Sequence, residues 1–538
     1  MKKLVSRFMA VLMAMTMILS MSMTAFAAEA SKGTLTVNNT VAEKTLDLYQ
    51  IFTATKNGDN VAYTLNSAYE GFFKNNTRIP GSESLTGEAL SEKAYEYVKT
   101  QVGEDGKNGT GFAKEILGWI LANADTVAAT HTIVTTTANT TVIRDLAYGY
   151  YVVYPLGATD TSAAPGEQDY TSVASLVSVT GDTSINMKSN YPTVVKKVND
   201  KTADDVNIGD TVTYTLTSKV PDMTGYTSYV FNFKDTLSAG LTFKEITSVT
   251  VGETTITKVD AGQEANDTYT LTQTGQNITI TMNNFLASNA NKVGQEIKVT
   301  YTVTLNKDAV TGFDANKNSA TVEYSNKPGT DNKGESEPSI VDVHTFDFTI
   351  FKYYLKDETQ TGLANAEFEL YKANEAGDAA DTNAKINIVD EGNGVYRQAT
   401  ADEAKATGFT SAKIVSDADG KVLVKGLDAG TYYLRETKAP EGYNKLLSDI
   451  KVEIKPVYDE TTGKLTSYSV DYTYNGKTTN GAAITNKTDS PEVAVENKTG
   501  AQLPSTGSKG ALMVTLAGIV LFGALTASKA FGKKKANN

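Results

Sequence analysis

A lysine on the core-facing side of a predicted strand is the residue of this sequence best placed to act as a nucleophile. Pro192–Val198 alternates as a β-strand does, which places Val194, Lys196 and Val198 on one face. Lysine is nucleophilic only when neutral, and burial in an apolar core lowers its pKa while raising that of a carboxylic acid. A strand lysine is more commonly a solvated edge charge, and neighbouring Lys197 is the rival for the inward position.

An acid and an asparagine follow in the same predicted domain. Phe231–Asp235 ends in an acid, and the last predicted strand, Asn318–Tyr324, begins with an asparagine. This arrangement resembles the shaft pilins of Gram-positive bacteria, whose domains cross-link themselves through an intramolecular Lys–Asn isopeptide bond. The resemblance implies a bond between Lys196 and Asn318. It also implies that Asp235 is the catalytic acid, which polarises the amide carbonyl and moves the proton that lets ammonia leave.

The same residue types recur in the next predicted domain. Its first strand ends at Lys352 and its last segment at Asn486. Between them Tyr433–Tyr443 reads Tyr-Leu-Arg-Glu-Thr-Lys-Ala-Pro-Glu-Gly-Tyr, which resembles the acidic motif of collagen-adhesin type B domains. The resemblance implies a second isopeptide bond, between Lys352 and Asn486, with Glu436 as its catalytic acid. No equally clear set is present in the first predicted domain.

Both ends of the chain carry membrane-targeting patterns. Basic residues, an apolar run and the small-residue site Ala25–Ala27 predict a cleaved signal peptide over residues 1–27. The apolar stretch Ala511–Ser528 spans 18 residues and is followed by four lysines. This pattern predicts a transmembrane helix with a cytoplasmic basic tail, the alternative being a buried core helix. The chain between these ends is therefore expected outside the cell.

A short motif precedes the apolar stretch and consists of Leu503, Pro504, Ser505, Thr506 and Gly507. Together with the polar linker before it and the basic tail after it, this motif resembles the sorting signal of proteins that a sortase attaches to the cell wall. The resemblance implies that a sortase cysteine attacks the carbonyl of Thr506, releases Gly507 and passes the threonine acyl group to an amine. The implied partners are a sortase, peptidoglycan and a lysine of an identical subunit.

A covalent polymer also needs an exposed acceptor lysine. Shaft pilins often carry it in a strand that ends Val-x-Val-Tyr-Pro-Lys, but here the two Tyr-Pro pairs are followed by Leu156 and Thr193. The nearest analogue is Ile185–Lys188, a predicted strand end eight residues before Lys196. Lys188 is therefore the predicted acceptor, with Lys197 as the first alternative.

Short runs rich in Thr, Val and Tyr, broken by Gly, Asn and Asp, predict a mainly β chain. We expect three tandem immunoglobulin-like or collagen-adhesin-like β-sandwiches at residues 28–190, 191–343 and 344–490. Residues 491–538 form the linker, the sorting signal, the helix and the basic tail. Helical spacing of Phe112, Ile116 and Ile120 adds one or two helices to the first domain.

Composition narrows the function classes. The 538 residues include no cysteine, so disulfides cannot stabilise the exported chain. A net charge of −12 argues against nucleic acid as a partner. Two distant histidines and the lack of a calcium-loop spacing predict no metal and no cofactor, and no hydrolase-type catalytic set can be recognised.

The predicted function is structural rather than enzymatic. These patterns favour the backbone subunit of a covalently polymerised pilus, extracellular and anchored to the cell wall, with internal isopeptide bonds in the role that disulfides play elsewhere. Minor pilins and host surface ligands are further candidate partners. The alternative is a wall-anchored adhesin of the same domain type that binds a host ligand as a monomer.

Overall fold

The computed structural model describes residues 31–103, 108–136, 139–159, 173–187 and 190–499. Within them the chain is mainly β and forms several β-sandwich domains, so the predicted fold class is confirmed. The predicted signal peptide, Lys188, the sorting motif and the apolar stretch after it lie outside the described residues. In the described part of the chain, no helix is long and apolar enough to cross a membrane.

The first part of the chain forms two sheets and a helical layer. Its strands are β1 (Lys32–Asn38), β2 (Thr45–Asn57), β3 (Asn60–Leu65), β4 (His131–Val134), β5 (Thr140–Ala147), β6 (Gly149–Pro155), β7 (Ser175–Val179) and β8 (Thr183–Asn186). One sheet has the order β5-β1-β8, and the other has the order β3-β2-β6-β7 with β4 paired to β2. The helices are α1 (Glu70–Phe73), α2 (Gly87–Val102) and α3 (Gly109–Ala122), with 3₁₀ turns at Ser67–Tyr69 and Ser82–Ser84.

The helices expected in the first domain are packing elements. On α3, the side chains of Phe112, Ile116 and Ile120 recur at helical spacing and are all buried. They share one core with Phe72 and Phe73 of α1. The helical layer therefore closes the apolar face of the sheet.

The second part of the chain is a sandwich of two sheets. Its strands are β9 (Val195–Val198), β10 (Ala203–Asp205), β11 (Thr211–Lys219), β12 (Phe231–Leu237), β13 (Leu241–Val251), β14 (Thr254–Thr255), β15 (Thr257–Lys258), β16 (Thr268–Thr274), β17 (Asn277–Met282), β18 (Glu296–Leu305), β19 (Asn316–Ser325), β20 (Lys333–Glu335) and β21 (Ser339–His344). One sheet has the order β14-β13-β18-β11-β9. The other has the order β10-β21-β19-β12-β17-β16-β15, with β20 on β19. A short helix, α4 (Phe285–Asn289), lies between β17 and β18.

The third part of the chain is again a two-sheet sandwich. Its strands are β22 (Phe346–Lys356), β23 (Thr359–Gly362), β24 (Glu367–Ala373), β25 (Ala380–Lys385), β26 (Ile388–Gly392), β27 (Val395–Gln398), β28 (Ile414–Val415), β29 (Lys421–Leu427), β30 (Gly430–Lys438), β31 (Ile450–Tyr458), β32 (Leu465–Tyr474), β33 (Lys477–Thr479) and β34 (Glu492–Glu496). One sheet has the order β23-β22-β29-β27-β26, with β34 on β22, and the other has the order β25-β24-β30-β31-β32-β33, with β28 on β24. Helix α5 (Ala401–Lys405) follows β27.

The described residues separate into two compact units. One holds the chain up to Thr345 together with Tyr458–Thr466, and the other holds Phe346–Val457 and the chain from Ser467 onward. Within the first unit, strands before and after residue 190 form separate sheets. The third sandwich continues past its expected end at residue 490. Strand β34 extends it because its buried Val493 and Val495 pair alongside β22.

Candidate functional site

Lys196 lies in the core of the second sandwich because of strand alternation. Strand β9 pairs with β11, and Lys196 stands opposite Leu216. Val194, Lys196 and Val198 are all buried, and Lys196 is only 2% exposed. Lys197, one position further along, is exposed. The structure therefore places Lys196 inside and its rival on the surface.

Three buried polar side chains surround the Lys196 amine. Asp235 on β12 and Asn318 on β19 come from adjacent strands of the opposite sheet. Tyr301 comes from β18, in the sheet that contains Lys196. Lys196 Nζ forms an ion pair with Asp235 Oδ2 and donates a hydrogen bond to the Tyr301 hydroxyl at 2.6 Å. All four side chains are at most 2% exposed.

The Tyr301 hydroxyl links the other three groups. It donates to Asp235 Oδ2 at 2.5 Å and accepts from Asn318 Nδ2 at 2.9 Å, in addition to the bond from Lys196. Its ring stacks on that of Tyr214, with centroids 5.4 Å apart. The structure thus brings together the three residues that the sequence selected and adds a tyrosine that the sequence reasoning missed.

Burial shifts the pKa values of Lys196 and Tyr301 in opposite directions. Removal from water lowers the pKa of Lys196 to about 8, although the neighbouring Asp235 charge acts in the opposite direction. Burial, followed by the Asp235 charge and hydrogen bond, raises the pKa of Tyr301 well above its ordinary value. The amine can therefore lose its proton near neutral pH, whereas the tyrosine keeps its own.

A second buried lysine pairs with an acid in the third sandwich. Lys352 on β22 is 0% exposed and Glu436 on β30, in the opposite sheet, is 2% exposed. The distance between Lys352 Nζ and Glu436 Oε1 is 3.0 Å. Burial lowers the pKa of Lys352 to about 8, again against the effect of the acid. The lysine and acid chosen from the sequence are therefore in contact.

The amide at this pair belongs to Asn497. Its Nδ2 lies 3.3 Å from Glu436 Oε2, and the residue is 1% exposed. Asn497 directly follows β34, which runs parallel to β22 with Val495 opposite Lys352. A backbone hydrogen bond of 2.9 Å from Asn497 to the Tyr353 carbonyl continues this pairing.

Asn486, the asparagine expected at this site, lies elsewhere. It is exposed, and its Oδ1 accepts from the backbone N–H and the hydroxyl of Thr488. Its Nδ2 donates to Asp489 at 2.9 Å. Its side chain thus stabilises a local turn, and the structure contradicts its placement beside Lys352. The sequence does contain a pattern that indicates Asn497. Val493, Val495 and Asn497 are spaced two residues apart, as side chains on one face of a strand are, and all three are buried.

Both sites leave the amide oxygen unsatisfied. Asn318 Oδ1 and Asn497 Oδ1 are buried and have no hydrogen-bond partner among the described residues. The same holds for Asp235 Oδ1 within the described chain, whereas Glu436 Oε1 faces Lys352 Nζ at 3.0 Å. An unsatisfied buried oxygen costs free energy, which makes its recurrence on both amides informative. A protonated acid oxygen donating to the amide oxygen would satisfy it.

The first domain differs from the other two. Among its described residues no lysine is buried, and Lys44 is only half-buried, with its Nζ 3.0 Å from the Glu335 carbonyl oxygen. Lys188 and the motif Leu503–Gly507 lie outside the described residues. The geometry of the second and third sandwiches is therefore what carries the chemical argument.

Two family models match parts of this chain. Residues 208–328 match the family model of the Gram-positive pilin backbone subunit 2, Cna-B-like domain. Residues 350–468 match a model of a prealbumin-like fold domain. Each matched segment lies within one of the two sandwiches that contain a buried lysine.

Among relatives, the chain is 26% identical over 330 residues to the trypsin-resistant surface T6 protein of Streptococcus pyogenes serotype M6. The match covers 55% of this chain and 51% of the relative, so the chain spans about half the length of that protein. Among solved structures, the T6 backbone pilin of the same organism aligns with a TM-score of 0.46 at 15% identity, covering 88% of this chain and all of that one. The major pilin SpaD of Corynebacterium diphtheriae aligns with a TM-score of 0.39 at 19% identity, covering 77% and 88%.

Proposed function

We propose that this chain, which carries Gram-positive backbone-pilin domains, is the repeating shaft subunit of a pilus assembled by a sortase on the cell surface. One observation carries the proposal. Two successive sandwiches each hold a buried lysine, an acid and an asparagine in contact, with no cysteine anywhere in the chain. Such sites suit a rod whose domains must resist tension without disulfides.

Each of the two sites forms an intramolecular isopeptide bond in this proposal. In the second sandwich the bond joins Lys196 to Asn318, with Asp235 as the acid. In the third it joins Lys352 to Asn497, with Glu436 as the acid, so that Asn497 takes the place first given to Asn486. The support is proximity and burial, because both amines are desolvated beside an acid that can take up their proton.

The chemistry needs no added reagent. Proton transfer from the lysine to its acid frees the amine, which attacks the Cγ carbon of the asparagine. The acid then donates to the amide oxygen, where negative charge develops. One Nζ proton moves to Nδ2, the Cγ–Nδ2 bond breaks, ammonia leaves and a secondary amide remains. The unsatisfied amide oxygens suit this step, because each would gain its hydrogen bond from the acid only as the reaction proceeds.

Polymerisation uses the two ends of the chain in this proposal. A sortase cleaves after Thr506 and joins its carbonyl to Lys188 of the next subunit, and the last subunit is joined to peptidoglycan. Asn497 is the last buried polar residue of the part of the chain that the structure describes, nine residues ahead of Thr506. Tension arriving through Thr506 would therefore reach the third-domain bond almost directly.

The test uses cells that make the full-length chain together with a sortase. We expect a ladder of high-mass species in boiled detergent gels, and an extracellular chain lighter than its sequence mass by two ammonia losses. Lys188→Arg keeps the charge but removes a usable nucleophile, so the ladder should disappear while both internal bonds remain. Lys197→Arg is the matched control and should leave the ladder intact.

Two outcomes would change the proposal. An undiminished ladder from Lys188→Arg cells would mean that another lysine is the acceptor. The absence of any ladder from wild-type cells, together with two ammonia losses, would favour a wall-anchored monomeric adhesin.

A further inference from the structure

The Tyr301 hydroxyl has every hydrogen-bonding position occupied by a group that takes part in the proposed reaction. A phenol has one proton to donate and two lone pairs to accept with. Its proton points to Asp235, and its lone pairs receive Lys196 Nζ at 2.6 Å and Asn318 Nδ2 at 2.9 Å. Lys196 Nζ supplies the new bond and Asn318 Nδ2 is the leaving group, so the hydroxyl touches both reacting nitrogens.

The third sandwich shows what the tyrosine replaces. There Glu436 Oε2 contacts the leaving nitrogen of Asn497 directly, at 3.3 Å. Asp235 is one methylene shorter, and its Oδ2 bonds Lys196 and Tyr301. The hydrogen bond from the Asn318 amide nitrogen goes instead to the tyrosine.

The environment of the Lys352 amine differs accordingly. Its Nζ lies 5.7 Å from the ring centroid of Phe368, which has no hydroxyl. The Lys196 amine lies 5.2 Å from the centroid of the Tyr301 ring, whose hydroxyl it also bonds. An aromatic ring is therefore close to each amine, but only the ring in the second sandwich can move a proton.

We propose that Tyr301 is a catalytic residue of the Lys196–Asn318 reaction and delivers the proton with which the amide nitrogen leaves. This inference rests on the isopeptide bond proposed above. As the neutral amine attacks, Cγ becomes tetrahedral and Nδ2 gains a lone pair that can accept a proton. The tyrosine proton turns from the now protonated Asp235 and moves to Nδ2, while Nζ passes one proton to the tyrosine oxygen. The Nζ–Cγ bond forms, the Cγ–Nδ2 bond breaks and ammonia leaves. Tyr301 and the protonated Asp235 end as they began.

The hydroxyl is suited to relay a proton rather than to ionise. Burial is the largest cause of the raised pKa of Tyr301 and persists when Asp235 is protonated, so the tyrosine anion is strongly disfavoured and a proton that arrives must be matched by one that departs. Stacking on Tyr214 holds the ring in place. The relay therefore has a fixed geometry, which proton transfer within a buried site requires.

The test follows bond formation in the full-length chain after a pulse of labelled synthesis. Peptide mapping gives the fraction of chains joined at Lys196–Asn318 over time, with the Lys352–Asn497 peptide as a reference in the same molecule. We expect Tyr301→Phe to slow the second-domain bond at least tenfold and to leave the third-domain bond unchanged. Tyr269→Phe, at another buried tyrosine of the same core, should join at the wild-type rate.

A stability measurement separates catalysis from packing. Joined Tyr301→Phe molecules, collected at late times, should unfold at nearly the same temperature as joined wild type. A lower unfolding temperature with an unchanged joining rate would show a structural role and overturn the inference, as would joining of Tyr301→Phe at the wild-type rate. A wild-type chain with no Lys196–Asn318 peptide would instead refute the bond itself.

Discussion

The two lysine sites use the same residue types but connect different parts of a sandwich. In the second sandwich, Lys196 and Asn318 lie in opposite sheets, so their bond would cross the core. In the third, Lys352 lies on a strand paired in parallel with the strand that ends just before Asn497. One bond would therefore tie two sheets together, whereas the other would tie the first and last strands of one sheet.

This difference shows which features the chemistry demands. Both amines are buried, both meet an acid from the opposite sheet, and both amides leave an oxygen unsatisfied. The strand relation between lysine and asparagine is free to vary. What changes with it is the group that accepts a hydrogen bond from the amide nitrogen, which is Tyr301 in one site and Glu436 in the other.

The largest expected effect comes from removing either amide. Asn318→Ala and Asn497→Ala should each abolish one bond, and the chain-entropy model gives a loss of about 5 kcal/mol for a loop of more than 100 residues. Denaturant unfolding of each sandwich and peptide mapping measure the two effects. Asn486→Ala is the matched control and should keep the third-domain bond. A peptide joining Lys352 to Asn486 would refute the new assignment.

Much of this comparison could be read from the sequence. Alternation around Lys196 identified the inward lysine, and the motif around Glu436 identified the second acid. The choice of Asn486 failed because this residue lies in an exposed turn after the buried Ile484, and the last strand begins only at Glu492. The polar run after residue 488 looked like a linker, yet Val493 and Val495 mark a strand within it.

Tyr301 shows a different limit. The alternating stretch Ile297–Val303 predicts that its ring faces the core, but ring burial alone does not predict a hydroxyl between an amine, an acid and an amide. That contact depends on how the two sheets face each other across the core. The alternation along one strand predicts which side chains are buried, but not which residues of the opposite sheet they contact.

Mechanical extension should separate the two sandwiches. If tension runs from Lys188 to Thr506, it passes through the two isopeptide bonds. Residues 197–317 and 353–496, which these bonds enclose, would then bear no load. Residues 319–351 stay in its path and comprise most of β19, all of β20 and β21, and the start of β22. These strands are held by pairing of β19 with β12, of β21 with β19 and β10, and of β22 with β29 and β34. Single-molecule pulling that breaks these pairings should release a segment of about 33 residues, up to roughly 110–120 Å long.

We expect no similar segment to be released on the C-terminal side of the Lys352–Asn497 bond, since no strand follows Asn497 among the described residues. Asn318→Ala should add the length of the bypassed part of the second sandwich to the extension. An inextensible wild-type chain at forces that unfold the first domain would contradict this path of tension.

The pH dependence of the unjoined variants tests the burial of each amine. In Asn497→Ala, Lys352 remains an amine whose pKa is lowered to about 8, against about 10.4 in the unfolded chain. Between these values the unfolded state binds more protons, so stability should rise with pH from about 8 to 10, by on the order of 1–3 kcal/mol. Asn318→Ala should show the same trend through Lys196.

The double variant Lys352→Met/Asn497→Ala is the control for other groups that titrate in this range. The difference between it and Asn497→Ala isolates the buried amine. A flat difference from pH 7 to pH 10.5 would show that Lys352 is not desolvated in the folded chain.

The smallest effect is expected at Lys197, one residue from the buried Lys196. Lys197 is exposed on the outer face of β9, so Lys197→Ala should change the free energy of unfolding by no more than about 0.5 kcal/mol and leave the Lys196–Asn318 peptide intact. Lys196→Met, by contrast, should remove that peptide and the ammonia loss of the second sandwich. The pair differs by one step of a strand whose side chains alternate between core and solvent. If Lys197→Ala removed the cross-linked peptide while Lys196→Met kept it, the register of β9 would be shifted by one residue, and the four-residue site around Tyr301 would have to be rebuilt around the other lysine.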